Sequence, residues 1–195
     1  MASKLNTKMI LKLTGALIAL AFIGLAFTIW NTMREPTWGG DFNLVHRDQR
    51  WTFAQHAKGL NLLYIGYVKC PDVCPLSLSH SAEAFRELTV EEKERVRLTF
   101  VSVDASHDTA TSVADYASQF FPSFVGLTGS ENEIRKVVIL FGASFVVDTD
   151  SKSYLGYSIS HTDRLFFLNK KGIVIDSIPN PRSSADILNK IRSHL

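Results

Sequence analysis

The chain has 195 residues, 46% of them apolar, which leaves one ordinary domain with a real core once any membrane segment is set aside. Its formal net charge is only +2, and no basic tract or aromatic–basic interleaving appears. That balance argues against nucleic acid as a partner.

Lys4, Lys8 and Lys12 precede Leu13–Trp30, a run without one charged side chain. About 18 residues of helix at ~1.5 Å each span ~27 Å, close to the ~30 Å of bilayer hydrocarbon. The sequence therefore reads as a cytoplasmic tail (1–12), a transmembrane anchor (13–32), a linker (33–40) with Pro36, Gly39 and Gly40, and one domain (41–195). Positive charge on the tail alone keeps it inside and exports the rest. A cleaved signal peptide fits less well: its apolar core would be ~7–15 residues, and Thr28-Ile29-Trp30-Asn31 is a poor cleavage site. No cysteine follows the run closely enough for lipidation of a new N-terminus. The leader also lacks the Arg/Ser-rich character of a transit peptide, which places the domain in a bacterial periplasm rather than behind a mitochondrial inner membrane.

Asp41–Val45 and Arg50–Phe53 alternate like hairpin strands around the polar turn His46–Gln49. Leu60–Tyr67 is a compact apolar run suited to a buried central strand, and it ends at Cys70-Pro71-Asp72-Val73-Cys74-Pro75. A helix follows, with Pro75 in its first turn and its close near Thr89. Arg97–Val103 is a second buried strand. Thr111–Phe121 and Ser130–Phe141 read as helices, the latter opened by a Ser130–Glu133 capping box. Ala143–Val147 is a strand and Asp148–Ser158 a polar hairpin or loop. Arg164–Leu168 and Gly172–Ser177 form a hairpin around Asn169–Lys171, and Ser183–His194 closes the chain as an amphipathic helix. Strands alternating with helices predict an α/β fold, a mixed sheet flanked by helices. A cysteine motif between a buried strand and its helix is where a thioredoxin-like fold keeps its chemistry.

Cys70 and Cys74 stand four apart at that junction, where helix N-terminal amides stabilise thiolates. One helical turn puts both sulfurs on one side. The bite is wider than that of Cys-x-x-Cys, and it suits two thiolates on one soft ion while a disulfide stays geometrically open. Soft thiolates select Cu(I) or Zn(II). A closed zinc site wants four protein ligands, and two cysteines with scattered histidines fall short, which leaves copper as the better match. His161, just before the Arg164–Leu168 strand, is the first candidate to complete the site, in a loop that enters that strand. His107, at the end of the second strand, is the runner-up. His46, His56, His80 and His194 read as surface residues.

Gly66-Tyr67-Val68-Lys69-Cys70-Pro71-Asp72-Val73-Cys74-Pro75 resembles the signature of the Sco/SenC family. Val101-Ser102-Val103-Asp104, Asp108-Thr109, Gly126-Leu127-Thr128-Gly129 and Ser160-His161-Thr162 resemble its later blocks, in order, so the resemblance runs from about Gly39 to the C-terminus. It implies a thioredoxin-like fold behind one N-terminal transmembrane helix, and a copper ion, Cu(I) or Cu(II), held by Cys70, Cys74 and His161. It also implies a role in assembling the binuclear copper centre of cytochrome c oxidase subunit II, by delivering copper or by reducing that subunit's cysteines. An upstream copper donor or thiol reductant would then be a second partner. Asp72 and Asp104 are candidates to support the ligands, against their plain reading as turn and strand-end aspartates. Two departures stand out. Val68 and Lys69 precede the first cysteine where a hydroxyl residue is usual at the former position, and Ser160 replaces the acid common before the histidine.

Two other functions fit the same cysteines. A thiol–disulfide reductase would use Cys70 as nucleophile and Cys74 as resolving thiol, without copper. An inert module would hold them as a structural disulfide, although so short a loop gains little from a crosslink. A peroxiredoxin is not indicated, because Pro-x-x-x-Thr-x-x-Cys is absent before Cys70.

Overall fold

The computed structural model describes residues 7–32, 37–149 and 152–195; the first six residues of the expected tail and 33–36 of the expected linker lie outside that set. The chain divides into two compact units, Met1–Thr37 and Trp38–Leu195. In the first, α1 (Thr7–Thr32) contains Ile10–Trp30, 21 residues long and apolar enough to cross a membrane. Its large side chains, Leu17, Phe22, Ile23 and Phe27 among them, are exposed. A helix with no polar face and no protein cover is suited to lipid.

The second unit opens on a hairpin, β1 (Asn43–His46) and β2 (Gln49–Thr52), whose register leaves only Arg47 and Asp48 in the turn. The turn is tighter than the sequence implied, and Arg47 takes a left-handed φ of 53° to make it. Phe53 leaves the strand to begin a short helix, α2 (Phe53–His56), its N–H bonded to the carbonyl of Phe42. Then come β3 (Leu60–Gly66), α3 (Val73–Arg86), α4 (Val90–Arg95), β4 (Val96–Ser102), α5 (Ala110–Phe120), β5 (Val125–Leu127) and α6 (Glu131–Leu140). The chain ends with β6 (Phe145–Asp148), β7 (Ser158–His161), β8 (Arg164–Leu168), β9 (Val174–Pro179) and α7 (Ser184–His194).

Further elements differ from the sequence reading. The helix expected to run to Thr89 stops at Arg86, and α4 restarts from a reciprocal capping box between Thr89 and Glu92. The three-residue β5 is too short to show a period of its own. Residues 38–40, expected in the linker, are tied to the domain instead. Gly39 N–H donates to the carbonyl of Leu140, Gly40 N–H to that of Gly172, and Val174 N–H to that of Trp38.

The main sheet has the order β5-β4-β3-β8-β9. β3, β4 and β5 are parallel, and β8 and β9 are antiparallel to their neighbours. The two parallel crossovers step the same way across the sheet, so their right-handedness puts α3 and α5 on one face, where α7 also packs against α3. Tyr64 of β3, Phe100 of β4 and Phe167 of β8 point to that face. Phe100 meets Tyr116 of α5 at 5.3 Å between ring centroids, and Phe167 meets His194 of α7 at 6.1 Å. On the other face Phe166 packs on Phe141, and Phe42 gathers Phe141, Trp51 and Phe53. β3 is buried over its whole length, as a strand covered on both faces must be. This is the thioredoxin-like mixed sheet flanked by helices.

Among the described residues, β6 and β7 pair only with each other. In their register Phe145 stands opposite His161. His161 therefore closes a strand rather than sitting in the loop the sequence implied. The Ser-Ile-Ser-His run carries no strand signal alone; pairing with apolar Phe-Val-Val supplies it.

Candidate metal centre

β3 ends at Gly66, and the chain turns over six residues into α3. Buried Asp108 holds that turn: its carboxylate accepts from the Val68 N–H at 2.8 Å and from the Ser102 hydroxyl at 2.5 Å. Burial pushes the Asp108 carboxyl up, against the pull of those two donors. Cys70 lies just before the helix and Cys74 in its first turn. Gly66 makes room for the second sulfur, since a Cβ there would stand 2.4 Å from the Cys74 Sγ.

His161 reaches this point from β7. Its Nε2 is 3.3 Å from Cys74 Sγ and 4.0 Å from Cys70 Sγ, and the three donor atoms all lie within 4.8 Å of one another. Both cysteines are free thiols, Cys74 fully buried and Cys70 8% exposed. The His161 Nδ1 faces the Thr162 carbonyl at 3.3 Å. A carbonyl only accepts, so this contact assigns the ring proton to Nδ1 and leaves the Nε2 lone pair toward the sulfurs. Tyr64 and Tyr67 stand edge-on to the imidazole, at 6.3 and 5.9 Å between centroids, and the Ile159 N–H reaches the Tyr67 phenol.

The two sulfurs differ sharply. The Cys70 thiol is pushed down, against its burial, first by a hydrogen bond from Cys74, and the backbone N–H groups of Asp72 and Cys74 add to this. Burial pushes the Cys74 thiol up, and the Cys70 thiolate beside it adds to this. The arrangement thus favours thiolate on Cys70 and thiol on Cys74. Thiolate is the species that alkylates, so a lowered pKa keeps Cys70 reactive as pH falls below the ordinary ~8.5 of a free thiol. We expect mass-mapped iodoacetamide labelling of the reduced, metal-free protein at pH 6 to modify Cys70 well ahead of Cys74. Equal labelling, or labelling that waits for pH above 8, would contradict the assignment.

Metal–sulfur bonds of ~2.3 Å and a metal–nitrogen bond of ~2.0 Å fit donors this close. Among the described residues, this is the one group of three or more His, Cys, Asp or Glu donors that converges. Two sulfurs and one imidazole make a soft set with few ligands.

The other candidates fall elsewhere. Asp72 is exposed, and it serves through its backbone N–H to Cys70 rather than through its carboxylate. Asp104 is buried one step away, accepting from Tyr157 O–H at 2.6 Å and bonded to His107 Nδ1 at 2.7 Å. His107 stacks on Tyr157 at 4.4 Å and does not reach the thiols. Asp104 thereby anchors the residue before β7, the strand that ends in His161. His46 and His56 are half-buried rather than superficial: the first bonds the Gly126 carbonyl at 2.9 Å, and the second stacks on Trp51. Gly66, Tyr64, Tyr67 and Asp108 shape the site without having drawn notice as site residues. Gly66 and Tyr67 open the signature run and Asp108 falls in a later block, so only Tyr64 had no signal beyond its place in an apolar strand.

The family model described as SCO1/SenC matches residues 31–195. Protein SCO2, mitochondrial, of Saccharomyces cerevisiae is 28% identical over 158 residues, 80% of this chain and 52% of that protein. The chain spans 52–65% of the length of the first four curated relatives it matches. Apo Sco1 of Thermus thermophilus superposes with a TM-score of 0.74 at 27% identity, covering 83% of this chain and 94% of that one. ScoI of Arabidopsis thaliana, solved with copper bound, gives 0.71 at 25% identity over 80% and 96%. A match over that whole stretch, on this fold and with the cysteine motif at the helix start, means that the chain belongs to the SCO1/SenC family.

Proposed function

We propose that this protein carries copper, held by Cys70, Cys74 and His161, and hands it to the binuclear copper centre of cytochrome c oxidase subunit II or prepares that centre's cysteines. The observation that carries the reading is the convergence of two sulfurs and one imidazole nitrogen within 4.8 Å. A dithiol reductase needs no imidazole there; a copper site does. When bound, copper would take its charge balance from the Cys70 and Cys74 thiolates, the latter losing its proton on binding. Nε2 of His161 is the neutral third donor, and the buried Tyr64 and Tyr67 rings shield that side from water. The copper-bound state of the similar Arabidopsis protein supports the choice of ion. With α1 as anchor and only lysines before its apolar run, the domain would stand on the exported face of the membrane, where such oxidase centres are built.

The test is a Cu(I) competition titration of the reduced chain in detergent. We expect about one ion per chain. His161→Ala should weaken binding about 10–100-fold or more, with both thiols still titratable by a disulfide reagent. Undiminished affinity in that variant would remove His161 from the site.

One observation favours a second reading. Cys70 is the more exposed sulfur and the one held as thiolate, as an attacking thiol should be, with buried Cys74 placed to resolve the mixed disulfide. If the reduced chain binds no Cu(I) yet reduces a model disulfide, and His161→Ala leaves that rate unchanged, the reductase reading replaces the copper one.

A further inference from the structure

β6 and β7 are a two-stranded ribbon outside the main sheet, so their own pairing does not fix where His161 stands relative to α3. Such a ribbon is weakly held without further contacts. Asp163, two residues beyond His161, supplies them. Its Oδ1 accepts from the Tyr64 phenol at 2.7 Å and from the Ser77 hydroxyl at 3.3 Å. Its Oδ2 accepts from Arg182 Nη2 at 2.5 Å, while Arg182 Nη1 donates to the Ser77 Oγ at 2.7 Å. Ser77 thus donates once and accepts once, and the carboxylate is met on both oxygens.

The burial is deep for a charged group: the Asp163 side chain is 13% exposed, and Tyr64 and Ser77 are buried. The four residues come from the pieces of chain that make the centre. Tyr64 lies on the strand leading to Cys70, and Ser77 on α3, three residues after Cys74. Arg182 stands just before α7, which packs on α3. Tyr64 also presents its ring edge to His161. None of the hydrogen bonds ends on a sulfur or an imidazole nitrogen, so through them the network acts on the site by fixing where its parts stand.

We propose that Asp163, clamped by Arg182, Tyr64 and Ser77, is a positioning residue that holds the His161 imidazole against the two thiols. The proposal rests on the copper reading above. Freed from the clamp, the end of β7 could swing, and the third donor would have to be ordered each time an ion binds.

A double-mutant cycle with His161 tests this by Cu(I) competition on the full chain in detergent. Asp163→Ala should weaken binding about 10–100-fold, the scale of losing a residue that orients a ligand. On the His161→Ala background the same change should cost nothing further, because the group it positions is gone. An undiminished affinity for Asp163→Ala, or a full additional loss in the double variant, overturns the proposal. Should Asp163→Ala leave Arg182 unpaired and the domain unfolded, Tyr64→Phe removes one hydroxyl in the same shape and carries the same cycle, with an expected loss of about fivefold. The metal-free protein gives a second readout. The two His161 ring nitrogens should show distinct NMR shifts in wild type and should converge in the clamp variant as the ring loses its fixed tautomer; unchanged shifts count against the clamp. If wild type takes up no Cu(I), the copper reading falls, and the nitrogen shifts still decide the clamp.

Discussion

Cys70→Ser and Cys74→Ser should each lower Cu(I) affinity by at least about a hundredfold while leaving the domain folded. Residues that merely orient a ligand are worth ~10–100-fold, so losing one of three direct donors must exceed that range. One thiolate with one imidazole is a poor set for a soft ion. The two variants should differ in their remaining thiol. In Cys74→Ser, Cys70 keeps the helix-start amides and can accept from the new hydroxyl, so it should still alkylate at low pH. In Cys70→Ser, Cys74 loses the thiolate neighbour but stays fully buried, so it should remain slow to label. Competition titration with circular dichroism as the folding control reads both effects. A serine variant that keeps wild-type affinity would show that one sulfur is not a ligand.

The second large effect is expected at Gly66. An alanine Cβ would lie 2.4 Å from the Cys74 Sγ and 3.1 Å from Cε2 of Phe100. Neither neighbour can retreat easily: the ring is fully buried and the sulfur sits on the first turn of α3. Overpacking of this kind costs about 1–3 kcal/mol, which in a domain of this size lowers Tm by about 2–12 °C. The sulfur is the softer side of the clash, so relief should come by moving it away from His161, and copper affinity should fall as well. Gly126→Ala is the control. Its Cβ would meet the Val113 carbonyl oxygen at 2.0 Å, a backbone clash between β5 and α5. It should destabilise at least as much while leaving copper affinity per folded molecule unchanged. Equal losses of affinity in the two variants would mean that Gly66 matters only for stability.

Much of the domain was legible because its elements carry local signals. Leu60–Gly66 is apolar but for Asn61, Ser130 and Glu133 close a capping box, and β8 follows the expected span. What was misread lacked such a signal or had it overridden. Thr89 and Glu92 form the same kind of box, but α4 is a helix of only six residues with no buried face to set up a period. Phe53 has strand propensity, yet the backbone bond to Phe42 and the aromatic cluster beneath draw it into α2. Gly39 and Gly40 look like linker residues, and long-range backbone bonds to Leu140 and Gly172 make them part of the domain.

The order of residues carries the chemistry available: an apolar helix of membrane length, a strand-to-helix turn bearing two cysteines, and histidines to choose among. It also carries the reason Cys70 is held as a thiolate, since a helix start offers its amides to a thiolate placed there. Which histidine belongs with them, and what holds it, comes from the folded chain. His161 is 87 residues from Cys74, and no local pattern encodes a distance set by strand order, a free-standing ribbon and a buried carboxylate. The same holds for Gly66, whose missing side chain has meaning only once the helix has folded back over it.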